Sequence, residues 1–263
     1  SAPYGSMYEP NLFGAYAGCC AVLCLSAFLL GQSRAFSAAG FLISTLATIL
    51  SYSRAALVAL LIASTWVFWK ARRSKTAGNR SKILVPILAF AFIFIIGIYT
   101  AGGTLQKRFE DLYYQGFTEG TALARLLVIQ EALMEIPGHT LLGNGTASFN
   151  LSFDWNRFIP EWASDKTWIS NAPIRVLHDT GLIGLSLFLG FFISVWLRLR
   201  RIWKVLGSPD DLTLGLAGGL LLYAISFQFT DGTILAFFWV HLGFLASAAV
   251  IYQEHLTAVP AIH

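Results

Sequence analysis

The sequence predicts an all-α fold, a polytopic bundle of six to seven transmembrane helices with one large loop outside the membrane that contains an amphipathic helix. Three observations predict it. Of 263 residues, 56% are hydrophobic and 12% charged, against roughly 25% charged in an ordinary soluble domain, and the mean hydropathy is +0.64. The charges are gathered between long apolar runs, as in a bundle whose loops carry the polarity. The runs themselves are long enough, or nearly so, for the ~20 residues that cross a hydrocarbon core. They fall at 12–30, 35–51, 55–69, 83–101, 180–197 and 212–229, with a seventh at 233–252.

The residues ahead of the first run lack the basic start and short apolar stretch of a signal peptide, and the chain reads as part of a longer one or as processed. The first run holds all three cysteines, Cys19, Cys20 and Cys24, with no spaced Cys/His framework for a disulfide scaffold or zinc site. Tyr52, Ser53 and Arg54 separate the second and third runs, which together are too long for one helix, so a tight polar turn is expected there. Lys70, Arg72, Arg73, Lys75, Arg80 and Lys82 then form an acid-free basic loop, and Arg198, Arg200, Arg201 and Lys204 form a second one. The positive-inside rule places both in the cytoplasm. Alternation then puts Ser1–Asn11, the Tyr52–Arg54 turn, the stretch 102–178 and Asp231 on the opposite face.

Three regions follow: first transmembrane helices with the cytoplasmic basic loop over 1–101, the large loop over 102–178, and C-terminal transmembrane helices and tail over 179–263. The loop is too long for a simple connector. Within it, Arg125–Ile136 has the pattern of an amphipathic helix ended by Pro137-Gly138. Leu142-Gly143-Asn144-Gly145 reads as a turn, and Phe153, Trp155, Phe158, Trp162 and Trp168 suit the headgroup level or a sugar platform.

A net charge of +4 and a pI near 9.0 reflect loop orientation in such a chain and not nucleic-acid binding. No Gly-x-Ser-x-Gly, P-loop, His-Glu-x-x-His or dinucleotide fingerprint occurs in sensible context, so soluble hydrolase and nucleotide chemistry has no support. The residues that could carry chemistry are cations and a few proton-handling groups. Arg54 lies at a membrane boundary, either as a snorkelling anchor or as a hook for phosphate, which a guanidinium binds through paired hydrogen bonds. Arg125, Arg108 and Lys107 share its predicted side, and Arg175 at the polar end of the fifth run invites the same two readings. The candidate proton-handling groups are His139, His178, Asp179, Glu131 and Glu135. His178 and Asp179 stand where the loop re-enters the membrane, but neighbours on a helix point about 100° apart and need not touch.

Four pieces in order carry a family pattern. They are Asn11 in Tyr8-Glu9-Pro10-Asn11; Ser53-Arg54; Arg125-Leu126-Leu127 through Ile136-Pro137-Gly138-His139-Thr140-Leu141-Leu142-Gly143-Asn144-Gly145; and Asn171 through Leu177-His178-Asp179-Thr180-Gly181-Leu182-Ile183-Gly184. Together they resemble the shared C-terminal region of the O-antigen ligase and O-antigen polymerase superfamily. The resemblance implies a polytopic glycosyltransferase of the bacterial inner membrane, with its large loop in the periplasm. The enzyme would take a glycan from an undecaprenyl-diphosphate carrier and pass it to lipid A-core, a growing polysaccharide or a protein. It implies Arg54 and Arg125 on the carrier diphosphate, and no nucleotide sugar, cofactor or obligatory metal; Arg108 and Arg175 are further candidate diphosphate ligands by their position in the chain.

One departure from the family pattern bears on the chemistry. Ser170-Asn171 stands where the family has His-Asn, and Asp179 where it has Glu. Ser170 cannot take a proton at neutral pH, so either His178 or Asp179 becomes the catalytic group, or the chain uses a different acceptor or is inactive. Asn171, Ser170 and Asn11 are then expected to position the loop or the acceptor. The competing expectations are a non-catalytic or anion-transporting protein of the same fold, and a structural fragment that pairs with a missing half. Against transport, the sequence shows no convincing internal repeat, and its charges lie at one edge.

Overall fold

A computed structural model describes residues 9–31, 34–73, 95, 120–154 and 168–258. Among them every regular element is helical: α1 (Pro10–Leu30), α2 (Arg34–Leu50), α3 (Arg54–Arg72), α4 (Gly120–Glu135), a 3-10 turn (Ile136–Gly138), α5 (Phe149–Ser152), α6 (Ala172–Leu206), α7 (Asp211–Ser226) and α8 (Ala236–Ala258). Three of these, α1, α3 and α6, are long and apolar enough to cross a membrane, and α2, α7 and the start of α8 are shorter apolar helices. The fourth apolar run, 83–101, lies outside the described residues apart from Ile95. The amphipathic helix expected from Arg125 begins five residues earlier, at Gly120, and stops where Pro137 cannot donate a backbone hydrogen bond.

The chain divides into two compact units. The first comprises 1–107, 193–226 and 233–263, and the second 108–192 with 227–232. The second includes the first part of α6 and the turn between α7 and α8.

In the first unit α1 packs on α2, α3 and α7, and α7 also meets α3 and α8. The helices approach closely because small residues face one another, the pattern of interfaces between membrane helices. A Cβ built on Gly218 would lie 2.6 Å from Val22 Cγ1 and 2.7 Å from Val67 Cγ2. One on Gly14 would lie 2.5 Å from Ser51 Oγ. Meanwhile Phe36, Ile43, Leu46, Val58, Leu61 and Ile62 are exposed. Large apolar groups thus face outward as well as inward, where Leu25, Ile49, Leu60 and Leu222 are fully buried beside the small residues, which suits a hydrocarbon solvent. The buried histidine is paired within this packing: His241 Nε2 donates to the Leu216 carbonyl at 2.9 Å, which leaves Nδ1 to accept from the Cys19 thiol at 3.4 Å, whereas the buried hydroxyls of Thr45, Ser64 and Ser226 have no partner among the described residues.

The α2–α3 corner is built as the sequence suggests. Tyr52 takes a positive φ of 54°, and Ser53 caps α3 by accepting from the Ala56 amide at 3.2 Å. Ser53 Oγ in turn donates to Asn11 Oδ1 at 2.8 Å, so the start of α1 is tied to the residue before Arg54.

Because Val22 and Val67 leave no room at Gly218, the substitution Gly218→Val is expected to cost about 1–3 kcal/mol through overpacking. The expected outcome is a lower melting temperature of the purified protein in detergent, with Gly190→Ala, whose Cβ would meet nothing within 4 Å, as the unaffected control.

Candidate functional site

The second unit is organised around a break in α6. At Gly181 the backbone leaves helical geometry with φ 65° and ψ −168°. A helix broken this way orphans carbonyls on one side and amides on the other. The segment 140–145 supplies both sets of partners. The amides of Asn144 and Gly145 donate to the carbonyls of His178 and Asp179 at 2.8 and 3.0 Å, and those of Leu182 and Ile183 donate to Thr140 and Leu141 at 2.9 and 3.3 Å. The fit needs glycine twice. Gly143 has φ 77° and an added Cβ would sit 2.4 Å from the Thr180 nitrogen, while a Cβ on Gly181 would sit 2.2 Å from the Leu141 oxygen. The two glycine motifs noted in the sequence are thus the two halves of one backbone interlock.

The interlock carries a line of charged groups. His178 is fully buried, with Nδ1 3.0 Å from Asp179 Oδ1 and Nε2 2.8 Å from Glu135 Oε2. Each ring nitrogen of His178 thus faces a carboxylate oxygen, one from its own helix and one from α4. The Phe149 ring stands edge-on to the imidazole at 5.5 Å and walls it in. Asp179 uses its second oxygen for Arg175 Nε at 3.4 Å and the Ala147 amide at 3.4 Å. Arg175 Nη1 then pairs with the buried Asp231. The line runs Glu135, His178, Asp179, Arg175, Asp231.

Its ends differ. The Asp231, Asp179 and His178 side chains are 1%, 7% and 0% exposed, whereas Glu135 is 31% exposed. Glu135 also accepts from Ser152 Oγ at 3.0 Å. Glu135 is held there by the pattern of α4: Ala124, Val128 and Ala132 repeat every four residues and pack with Phe149, Phe153, Ile169 and Ile174. Glu135, seven residues beyond Val128, continues that stripe with a carboxylate in place of an apolar group.

The other sequence candidates fall as follows. Asn171 caps α6, accepting from the Ile174 amide at 3.0 Å and donating to the Gln228 carbonyl at 3.0 Å. The half-buried Ser170 precedes it. Arg175, expected either as a membrane anchor or as an anion hook, directs its guanidinium at two carboxylates, Asp179 and Asp231. Arg125 is half-buried on α4, and Arg54 is the first residue of α3 in the other unit, beside Asn11 through Ser53. Arg108, Lys107 and most of the aromatic segment, from Trp155 to Trp162, lie outside the described residues. The sequence did not place Asp231 with Arg175. It named Glu135 only among several acids, although the helical repeat from Val128 pointed to it.

The sequence profile of the O-antigen ligase family matches residues 39–189, more than half of the chain. The chain belongs to the O-antigen ligase family. The matched span holds Arg54, Arg125, Glu135, the interlock and the His178–Asp179 pair, and stops short of Asn11 and Asp231. Family membership and the apolar helices together make this a membrane protein. No curated protein matches the chain.

For this O-antigen ligase family member, Gly181→Ala is expected to combine the cost of a positive-φ region open essentially to glycine alone, about 1–3 kcal/mol, with the clash on Leu141. Circular dichroism melting is expected to show a loss larger than that cost alone, and Gly145→Ala, where a Cβ meets nothing within 4 Å, a loss of the φ cost only.

Proposed function

We propose that the protein transfers a glycan from a lipid-linked diphosphate donor to an acceptor hydroxyl, on the membrane face opposite the basic loops. The observation that carries the reading is the Glu135–His178–Asp179 line in an O-antigen ligase family member, because one of its three members is reached by solvent and the other two are buried. Glu135 is the acceptor's base. His178 and Asp179, expected from the sequence to be catalytic themselves, act behind it by fixing its orientation and balancing its charge.

In the step proposed, the acceptor hydroxyl loses its proton to the Glu135 carboxylate as its oxygen bonds to the anomeric carbon. The bond from that carbon to the carrier phosphate breaks, and the electron pair leaves with the diphosphate. Arg54 and Arg125 neutralise the charge that develops on the leaving group, the kind of stabilisation that gains strength where water is excluded. Arg175, already paired with Asp179 and Asp231, keeps the buried end of the line in place and is not assigned to the donor. The donor is taken to be an undecaprenyl diphosphate in the bacterial inner membrane, with acceptor and loop in the periplasm. Lipid A-core or a growing polysaccharide fits as acceptor.

Transfer should be followed in membranes carrying each variant at equal protein level. Glu135→Gln removes the proton acceptor while keeping the hydrogen bonds' shape, and should lower the rate by roughly 10²–10⁴-fold, the usual contribution of a positioned base. His178→Gln should lower it less, and Arg54→Ala and Arg125→Ala should each do so without changing the pH dependence. Unchanged transfer in Glu135→Gln would take that carboxylate out of the mechanism; labelled-anion uptake without any glycan product would favour transport instead.

A further inference from the structure

A second concentration of charge lies in the first unit, at the ends of α3 and α6, and no step above uses it. A cavity of about 470 Å³ is lined by Lys70 of α3 and by Leu197, Arg200, Arg201, Trp203 and Lys204 of α6. Four of the six lining residues are cations and none is an acid. The stretches 54–109 and 180–209 contain no Asp or Glu; the nearby carboxylate of Asp210 is engaged behind Trp203, accepting from the backbone amide and the hydroxyl of Thr213. Among the described residues none of the four is ion-paired with a carboxylate.

The cations at the end of α3 rest on aromatic rings. Lys70 Nζ sits 5.9, 5.0 and 5.6 Å from the ring centres of Trp66, Trp69 and Trp203, and the Arg73 guanidinium carbon sits 4.1 Å from that of Trp69. Trp66, Trp196 and Trp203 pack on one another with centroids 5.9–6.2 Å apart. Trp203 is fixed in plane because its indole N–H donates to Thr213 Oγ1 at 2.9 Å. Ring faces attract cations but leave their charge in place. A positive-inside signal needs only the charges, in any arrangement; this one adds a fixed tryptophan floor and a concave wall.

We propose that this cavity binds the phosphate-bearing headgroup of an anionic phospholipid. Guanidinium pairs match phosphate oxygens, basic pockets between membrane helices suit such headgroups, and tryptophans are at home at that depth. A lipid rather than a soluble phosphate is favoured by the exposed apolar side chains that continue from the cavity along α6: Leu197, 46% exposed, lines it, and Ile193, 58% exposed, lies one turn away. They offer a track for an acyl chain.

The test is native mass spectrometry of the full chain in mild detergent, titrated with phosphatidylglycerol or phosphatidylcholine. Phosphatidylglycerol should be retained in preference. Lys70→Gln should weaken that retention about fivefold, from the ~1 kcal/mol that a cation contributes near an anionic surface. Arg72→Gln makes the same charge change at the same end of α3 but outside the cavity, and should leave retention unchanged. Arg201→Gln gives a second route should Lys70→Gln fold poorly. Equal retention of both lipids, or equal loss in Lys70→Gln and Arg72→Gln, would overturn the proposal. Displacement of the lipid by millimolar inorganic phosphate would reassign the cavity to a soluble anion and overturn the lipid assignment.

Discussion

The break in α6 at Gly181 is the constraint on which the second unit depends. A helix interrupted this way exposes backbone groups that membrane surroundings cannot satisfy, and unsatisfied groups there cost several kcal/mol each. The segment 140–145 resolves this with four backbone hydrogen bonds across the gap, which is possible only because neither Gly143 nor Gly181 has a Cβ. Everything chemical in the unit is placed by that repair. The loop follows directly from the end of α4, so closing the gap brings Glu135 to the ring of His178.

Burial then decides the roles. Three carboxylates, one guanidinium and one imidazole lie in a single line, and such groups are tolerated inside only when they are paired along it. Removing a middle member leaves a buried charge without its partner, whereas changing the exposed end alters reactivity more than stability. That asymmetry separates Glu135, which an acceptor can reach, from Asp179 and Asp231, which it cannot.

Much of the fold was legible in the sequence, because a membrane span has a length and a composition that a single chain displays. The runs at 12–30, 35–51 and 55–69 coincide within a few residues with α1, α2 and α3, and the Ser53 cap and the stop before Pro137 follow from local chemistry. The site was legible in pieces. Gly143 and Gly181 were noted as parts of two motifs, but nothing periodic links positions that pair across so long a separation. For His178 and Asp179, helical spacing left contact undecided; they meet because one Asp179 oxygen turns to the ring while the other faces Arg175. Nothing in the sequence linked Arg175, open there as membrane anchor or anion hook, to Asp231, which arrives from the turn between α7 and α8.

Hydrogen–deuterium exchange in nanodiscs tests the central claim most directly. If the segment 140–145 fills the break, the amides of Asn144, Gly145, Leu182 and Ile183 are protected together, and Gly143→Val exposes all four to exchange at once. Fast exchange of the loop amides in the unsubstituted protein, with Leu182 and Ile183 still protected, would contradict the account.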